Sequence, residues 1–175
     1  LYALFAHNGL QILGDGKRRA ACTGLEREAV FEIAGVSDDV CAAFAKVYPS
    51  LADKLITIEN VLSPDFVRAQ AQLELPSEME NTLPSILSVG RFCPAKAFEL
   101  IPQYSRIMLD KGYEHRWYII GYGGEEELIK KEIEKYRVED NVIVLGKKAN
   151  PYPYIAACDV YTQPSRYEGK AVTVR

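Results

Sequence analysis

Residues able to do chemistry cluster in the second half of the chain. Ser88-Val-Gly-Arg91-Phe-Cys-Pro-Ala-Lys96 sets a glycine and two cations, Arg91 and Lys96, between a β-rich run and a segment of helical period. Such a stretch builds an anion site. Gly90 lets the backbone approach a ligand, Arg91 can hold phosphate oxygens in a fork, Lys96 adds a point charge, and a helix N-terminus adds its dipole. Read in isolation, the two cations serve equally well as solvated surface residues. A second stretch, Gln163-Pro-Ser-Arg-Tyr-Glu168-Gly169, would bring Ser165, Glu168 and Gly169 to the same sheet edge as Arg91. A carboxylate beside a glycine can accept hydrogen bonds from sugar hydroxyls. Ser165 also reads as a cap, and Glu168 as an ion-pair partner of Arg91 or Lys170.

Other motifs carry less. Gly14-Asp-Gly-Lys17 lacks the full spacing of a phosphate loop and reads as a turn. Gly121-Tyr-Gly-Gly124 follows a strand and opens a helix, but Glu126 stands where the dinucleotide pattern wants its third glycine. A tight strand-to-helix turn is the plainer reading, and a hydride-transfer cofactor finds little support. Cys22, Cys41, Cys93 and Cys158 are far apart, with no CxxC and no histidine at zinc spacing. They are expected to be reduced thiols of a cytoplasmic protein, and no metal site is expected.

The elements that must position these residues alternate from Ser85 onward. Ile86–Gly90, Arg116–Ile120, Asn141–Leu145 and Asp159–Gln163 read as strands. Between them, Lys96–Lys111 carries Phe98, Leu100, Ile101, Tyr104, Ile107 and Met108 on one stripe, with Pro102 in its first turn and Gly112 at its stop. Glu125–Arg137 turns Leu128, Ile129, Ile133 and Tyr136 inward, with acids leading and lysines following, as the helix dipole favours. A short helix follows Asn150-Pro-Tyr-Pro-Tyr154 and runs through Cys158. Strands separated by crossover helices imply an α/β fold, a parallel sheet flanked by helices whose strand ends open on one edge for ligand. The first half is less regular: Leu25–Phe31 reads as helix, Ile33–Val36 as strand, Ser37 as the N-cap of a helix over Asp38–Tyr48, and Leu55–Glu59 as strand. Gln70–Pro84, proline-marked, reads as a linker or a crossing helix plus loop.

The chain has 175 residues, with 21 Lys+Arg against 24 Asp+Glu for a net charge of −3, and is 48% hydrophobic. These values describe one globular domain, or a domain plus a remnant, and exclude a disordered chain. No nucleic-acid partner is expected, because the charge gives no broad basic face and Lys17-Arg18-Arg19 stands alone without interleaved aromatics. Apolar runs fall short of the 18 or so residues of a membrane span, so no span, signal peptide or anchor is expected. The chain opens on Leu1 and closes on the strand-like Ala171-Val-Thr-Val-Arg175, so both ends are expected to be cut.

Val89-Gly-Arg91 with Lys96, Ile120-Gly-Tyr-Gly-Gly124, Val144-Leu-Gly146, Ala157-Cys-Asp159 and Pro164-Ser-Arg-Tyr-Glu168-Gly169 together resemble, in order and spacing, the donor-binding half of retaining GT-B glycosyltransferases of family 4 (group 1). The resemblance covers about Ile33 to Arg175. It implies a Rossmann-like, C-terminally incomplete nucleotide-sugar-binding domain over 85–175, a linker or crossing segment over 61–84, and a remnant of the acceptor-side domain over 1–60. It further implies that Arg91 and Lys96 hold the donor diphosphate and offset its developing charge, and that Glu168 contacts the donor sugar. Gly121 and Gly123 would be turn glycines facing the nucleotide, with Gly90, Ser165 and Gly169 lining the same site. The base would be read at Gly146-Lys147. His7 is compatible with the family's N-domain histidine or with a plain loop residue.

The family's second glutamate would fall one residue beyond Arg175, and its frequent Glu-Gly-Phe-Gly is here Glu168-Gly-Lys-Ala171. The implied activity is transfer of a sugar from a UDP- or GDP-sugar to a glycan or lipid-linked acceptor with retention, without an obligatory metal or other cofactor. The expected setting is bacterial polysaccharide biosynthesis in the cytoplasm or at the inner membrane face. An isolated 175-residue chain is expected to be inactive and to self-associate through surfaces exposed by truncation. Two alternatives stay open, a GT-B nucleotide-sugar 2-epimerase and a non-catalytic nucleotide- or sugar-phosphate-binding module.

Overall fold

Val30 and Phe31, β-branched and aromatic, open a strand rather than close the helix expected over Leu25–Phe31. The computed structural model describes residues 2–6, 10–14, 30–61, 63–73, 77–79 and 82–168. Residues 25–29 lie outside these, as do His7, the basic cluster at 17–19, Cys22 and the run 171–175. The chain divides into two compact units, one of residues 1–62 with 168–175 and one of Ser63–Tyr167.

In the first unit β1 (Tyr2–Ala6), β2 (Leu10–Gly14), β3 (Val30–Gly35) and β4 (Leu55–Thr57) form one sheet in that order. The first three pair antiparallel, while β3 and β4 are parallel, with Ile33 opposite Leu55. Helix α1 (Asp38–Val47) starts where Ser37 accepts a hydrogen bond from the Val40 N–H at 3.3 Å, with Asp38 and Asp39 in its first turn and Lys46 in its last. Ile33 and Leu51 are buried, with Val40, Phe44, Tyr48 and Leu55 packed around them.

The second unit holds α2 (Pro64–Ala71), β5 (Ser85–Arg91), α3 (Ile101–Asp110), β6 (Arg116–Tyr122), α4 (Glu126–Tyr136), β7 (Val142–Gly146), α5 (Tyr152–Ala157) and β8 (Val160–Tyr161). Its four strands are all parallel, in the order β7-β6-β5-β8. Strand alternation sends Ile86, Trp117, Ile119 and Val142 into one core with Phe98, Ile101, Ile129 and Ile133. It sends Leu87, Tyr118 and Ile120 into a second core with Met79, Tyr154 and Ile155. Both sheet faces are therefore covered, as a parallel sheet requires.

Several boundaries differ from those expected. The helix expected from Lys96 begins as an α-helix only at Ile101, because Ala97 sits in the left-handed region (φ 54°) and a 3-10 turn, Phe98–Leu100, intervenes. Leu128 on α4 and Tyr104 and Ile107 on α3 are exposed rather than inward, at 41%, 41% and 43%. The buried faces there are narrower, carried by Ile129 and Ile133 and by Ile101 and Ser105. β8 is shorter than Asp159–Gln163, and β4 stops at Thr57.

The proline-marked stretch after β4 is anchored within the second unit. Asn150 Nδ2 donates to the Gln70 carbonyl at 2.8 Å, and the Glu78 carboxylate accepts from Lys148 and from the Tyr154 hydroxyl, each at 2.8 Å. Among the described residues no helix is long and apolar enough to cross a membrane, and no His/Cys/Asp/Glu group could hold a metal ion.

Candidate functional site

The strand order dictates where a ligand fits. From β5 the chain moves outward through β6 and β7, then returns to lay β8 on the other side of β5. The carboxyl ends of β5 and β8 lie side by side at this reversal, the usual ligand position of open α/β sheets. A buried hydroxyl ties the two strands together there: the Ser88 hydroxyl donates to the Thr162 carbonyl at 2.9 Å and accepts from the Trp117 indole at 3.1 Å.

Arg91 ends β5, and the loop after it carries Lys96. Phe92 is buried and anchors it, its N–H donating to the Tyr122 carbonyl at 2.9 Å and its carbonyl accepting from the Glu125 N–H at 3.3 Å. A turn closed by the Lys96 N–H on the Cys93 carbonyl, at 2.9 Å, then folds Lys96 back over the strand end. A Cβ added to Gly90 would lie 3.6 Å from both Cδ and Cε of Lys96 and 3.1 Å from the Phe98 ring. The lysine stem therefore packs on the glycine. Arg91 is exposed at the end of β5, next in sequence to the glycine on which the Lys96 stem packs.

Gly121 and Gly123 have a packing reason of their own. A Cβ on Gly121 would run into the Gly90 carbonyl oxygen, and one on Gly123 into the Phe92 carbonyl oxygen. The two glycines let β6 come close enough to hold the cation-bearing loop. Gly121 lies inside β6 rather than in a turn. Lys147, just past β7, places its ammonium 4.9 Å from the centre of the Tyr122 ring, a cation–π contact at the same edge of the sheet.

On the β8 side, Ser165 is half-buried in the loop. Glu168 is exposed, is the last described residue, and groups with the first unit. Gly169 lies outside the described residues.

Sequence reasoning passed over Arg166. Its backbone N–H donates to the Ala95 carbonyl at 2.8 Å, its Nη1 to the Pro94 carbonyl at 2.8 Å, and its Nη2 to Glu99 at 2.5 Å. Burial pushes the Glu125 carboxyl up from its usual value, and the Glu99 charge pushes the same way while Arg166 opposes both. Glu99 and Glu125 each keep a buried Oε2 without a hydrogen-bond partner among the described residues. No local pattern flags Arg166, because its carboxylate partner is 67 residues upstream.

A parallel sheet of this strand order, covered by helices on both faces and with glycines at its strand ends, is a Rossmann-like α/β domain. Residues 74–174 match the family described as glycosyl transferases group 1, and the chain belongs to that family.

It is 34% identical over 85 residues to the N-acetylgalactosamine-N,N'-diacetylbacillosaminyl-diphospho-undecaprenol 4-alpha-N-acetylgalactosaminyltransferase of Campylobacter jejuni, covering 48% of this chain and 22% of that protein. It is 26% identical over 121 residues to an uncharacterized glycosyltransferase of Haemophilus influenzae, covering 69% of this chain and 33% of that one. The chain thus spans a third or less of these relatives' length. Among solved structures it superposes on a TarM mutant of S. aureus, solved with fondaparinux, alpha-GlcNAc-glycerol and UDP, with TM-score 0.67 at 15% identity, covering 93% of this chain and 32% of that one. HepE of Anabaena, solved with UDP and glucose, gives 0.61 at 17% identity, covering 82% and 40%.

Proposed function

We propose that the chain is the donor-binding part of a retaining, family 4 GT-B glycosyltransferase that takes a sugar from a UDP- or GDP-sugar. The observation that carries this reading is that Arg91 ends β5 and the loop after it folds the Lys96 stem back onto Gly90, at the point where the strand order reverses. In this reading the diphosphate lies along that loop. The Arg91 guanidinium forks two of its oxygens, and the Lys96 ammonium, whose stem is propped on Gly90, takes a third. As the bond from sugar to phosphate breaks, negative charge grows on the leaving diphosphate. The two fixed cations stabilise it without having to reorganise, a role that needs no resident metal.

Glu168 accepts hydrogen bonds from donor-sugar hydroxyls, with Ser165 and Gly169 beside it and Gly121 and Gly123 facing the nucleotide. Lys147 and Tyr122 lie where the base is read. The Campylobacter relative's name places its acceptor on a diphospho-undecaprenol carrier. It supports a lipid-linked or glycan acceptor for the whole enzyme, which in this reading works in polysaccharide assembly in the cytoplasm or at the membrane's inner face.

The test is calorimetry with UDP and GDP on the wild-type chain and on a double variant, Arg91→Ala with Lys96→Ala. Two charge-assisted hydrogen-bonding groups at about 1.5–3 kcal/mol each predict a loss of roughly a hundredfold or more in affinity. Equal affinity in the double variant rejects the assignment.

A further inference from the structure

We infer that Arg166 is a positioning residue that clasps the cation-bearing loop after β5 to the loop after β8, an inference that rests on reading the former as the diphosphate site. A solvated ion pair alone would contribute little. This one is different in two respects. Glu99 is mostly withdrawn from water, its side chain only 14% exposed, so its charge needs a cation close by. Arg166 also supplies donors to the Pro94 and Ala95 carbonyls, which lie outside any strand ladder. One side chain and its own N–H thus fix the backbone of the two residues that lead directly into Lys96. The clasp sits two residues before Glu168 in the chain, so the same contacts fix where the segment toward Glu168 departs.

The neighbouring acids sharpen the requirement. Glu125 donates its N–H to Phe92 at the root of the same loop, and its carboxylate feels both the Glu99 charge and the opposing Arg166 charge. Removing Arg166 leaves two carboxylates facing each other beneath the loop that has to present Lys96 to a phosphate. The loop would shift to separate them, and Lys96 would move with it.

UDP affinity of the 175-residue chain, measured by calorimetry, tests this. Arg166→Ala is expected to weaken UDP binding about tenfold and Glu99→Gln severalfold, with the double variant no weaker than Arg166→Ala alone. Arg166→Lys, which keeps the charge but cannot serve both Glu99 and Pro94, is expected to fall between wild type and Arg166→Ala. Amide exchange should quicken over residues 95–97 in these variants, while Ser105→Ala, remote from the loop, keeps wild-type UDP affinity whatever its effect on melting. Should Arg166→Ala not fold, Arg166→Lys and Glu99→Gln carry the same comparison.

UDP affinity within twofold of wild type in the Arg166 variants, or additive losses in the double variant, overturns the inference, even if exchange quickens. If wild type binds UDP and loses it on changing Arg91 and Lys96 while Arg166→Ala binds normally, only the clasp falls. If wild type binds neither UDP nor GDP, the donor-site reading fails and the clasp fails with it.

Discussion

Asp159 joins β8 to β5. Its carboxylate accepts from both the backbone N–H and the hydroxyl of Ser85, each at 2.8 Å, and its own N–H donates back to the Ser85 hydroxyl at 3.0 Å. Hydrogen bonds to the charged form hold this carboxyl below its usual range. A carboxyl whose folded value is depressed binds its proton more readily in the unfolded chain. Its contribution is therefore present above the unfolded value of about 3.9 and is lost as pH falls through the lower folded one. Asp159→Asn is expected to melt a few degrees below wild type at pH 7, with the gap closing as pH falls below the unfolded value and through the lower folded one. A gap that stays constant with pH would show that the charge of Asp159 is irrelevant to its role. The same scale sets the limits of motif reading. Arg91 and Lys96 were legible because both lie in one stretch with Gly90. Ser85 and Arg166 were not, since their partners are 74 and 67 residues away in sequence.

Strands and helices were legible where the period was strong, and their ends where the stop chemistry was local. Ser37 caps α1 as its type and place required, and Gly112 follows α3 in the left-handed conformation (φ 83°) that glycine tolerates best. The start of α3 was not legible, because a left-handed alanine is a decision of packing around the buried Ala97 and Phe98. Two glycines at this scale predict different outcomes. Gly112 has open space around it, so Gly112→Ala should cost only the backbone preference, about 1 kcal/mol. Gly121→Ala would drive a methyl into the Gly90 carbonyl, and a fixed sheet register leaves little room to yield. A loss of about 3 kcal/mol or more is expected. Denaturant midpoints decide between them; equal losses would mean that β5 and β6 can separate without penalty.

For the whole molecule, the sole tryptophan, Trp117, is buried in the second unit, while strands and helices occur in both. Each unit has its own core, so unfolding followed by tryptophan fluorescence should not coincide with unfolding followed by far-UV circular dichroism. Superimposable curves would show one cooperative body. At this scale the sequence by itself determined the alternation of strands and helices after Ser85, the apolar faces that cover a parallel sheet, and the cations at one strand end. Each of these is written in residues a few positions apart, where period and turn chemistry act. The helix read over Leu25–Phe31 does not reach its last two residues for the complementary reason: Val30 and Phe31 are extended because β2 pairs with the strand they open, a condition no local window contains. Only the tertiary structure decided the strand order, and with it the pairing of β5 with β8 at the point where that order reverses. It also decided which distant side chain, Arg166, neutralises Glu99 beneath the loop that carries Lys96. Burial and pairing between residues remote in sequence depend on how the chain returns to β5.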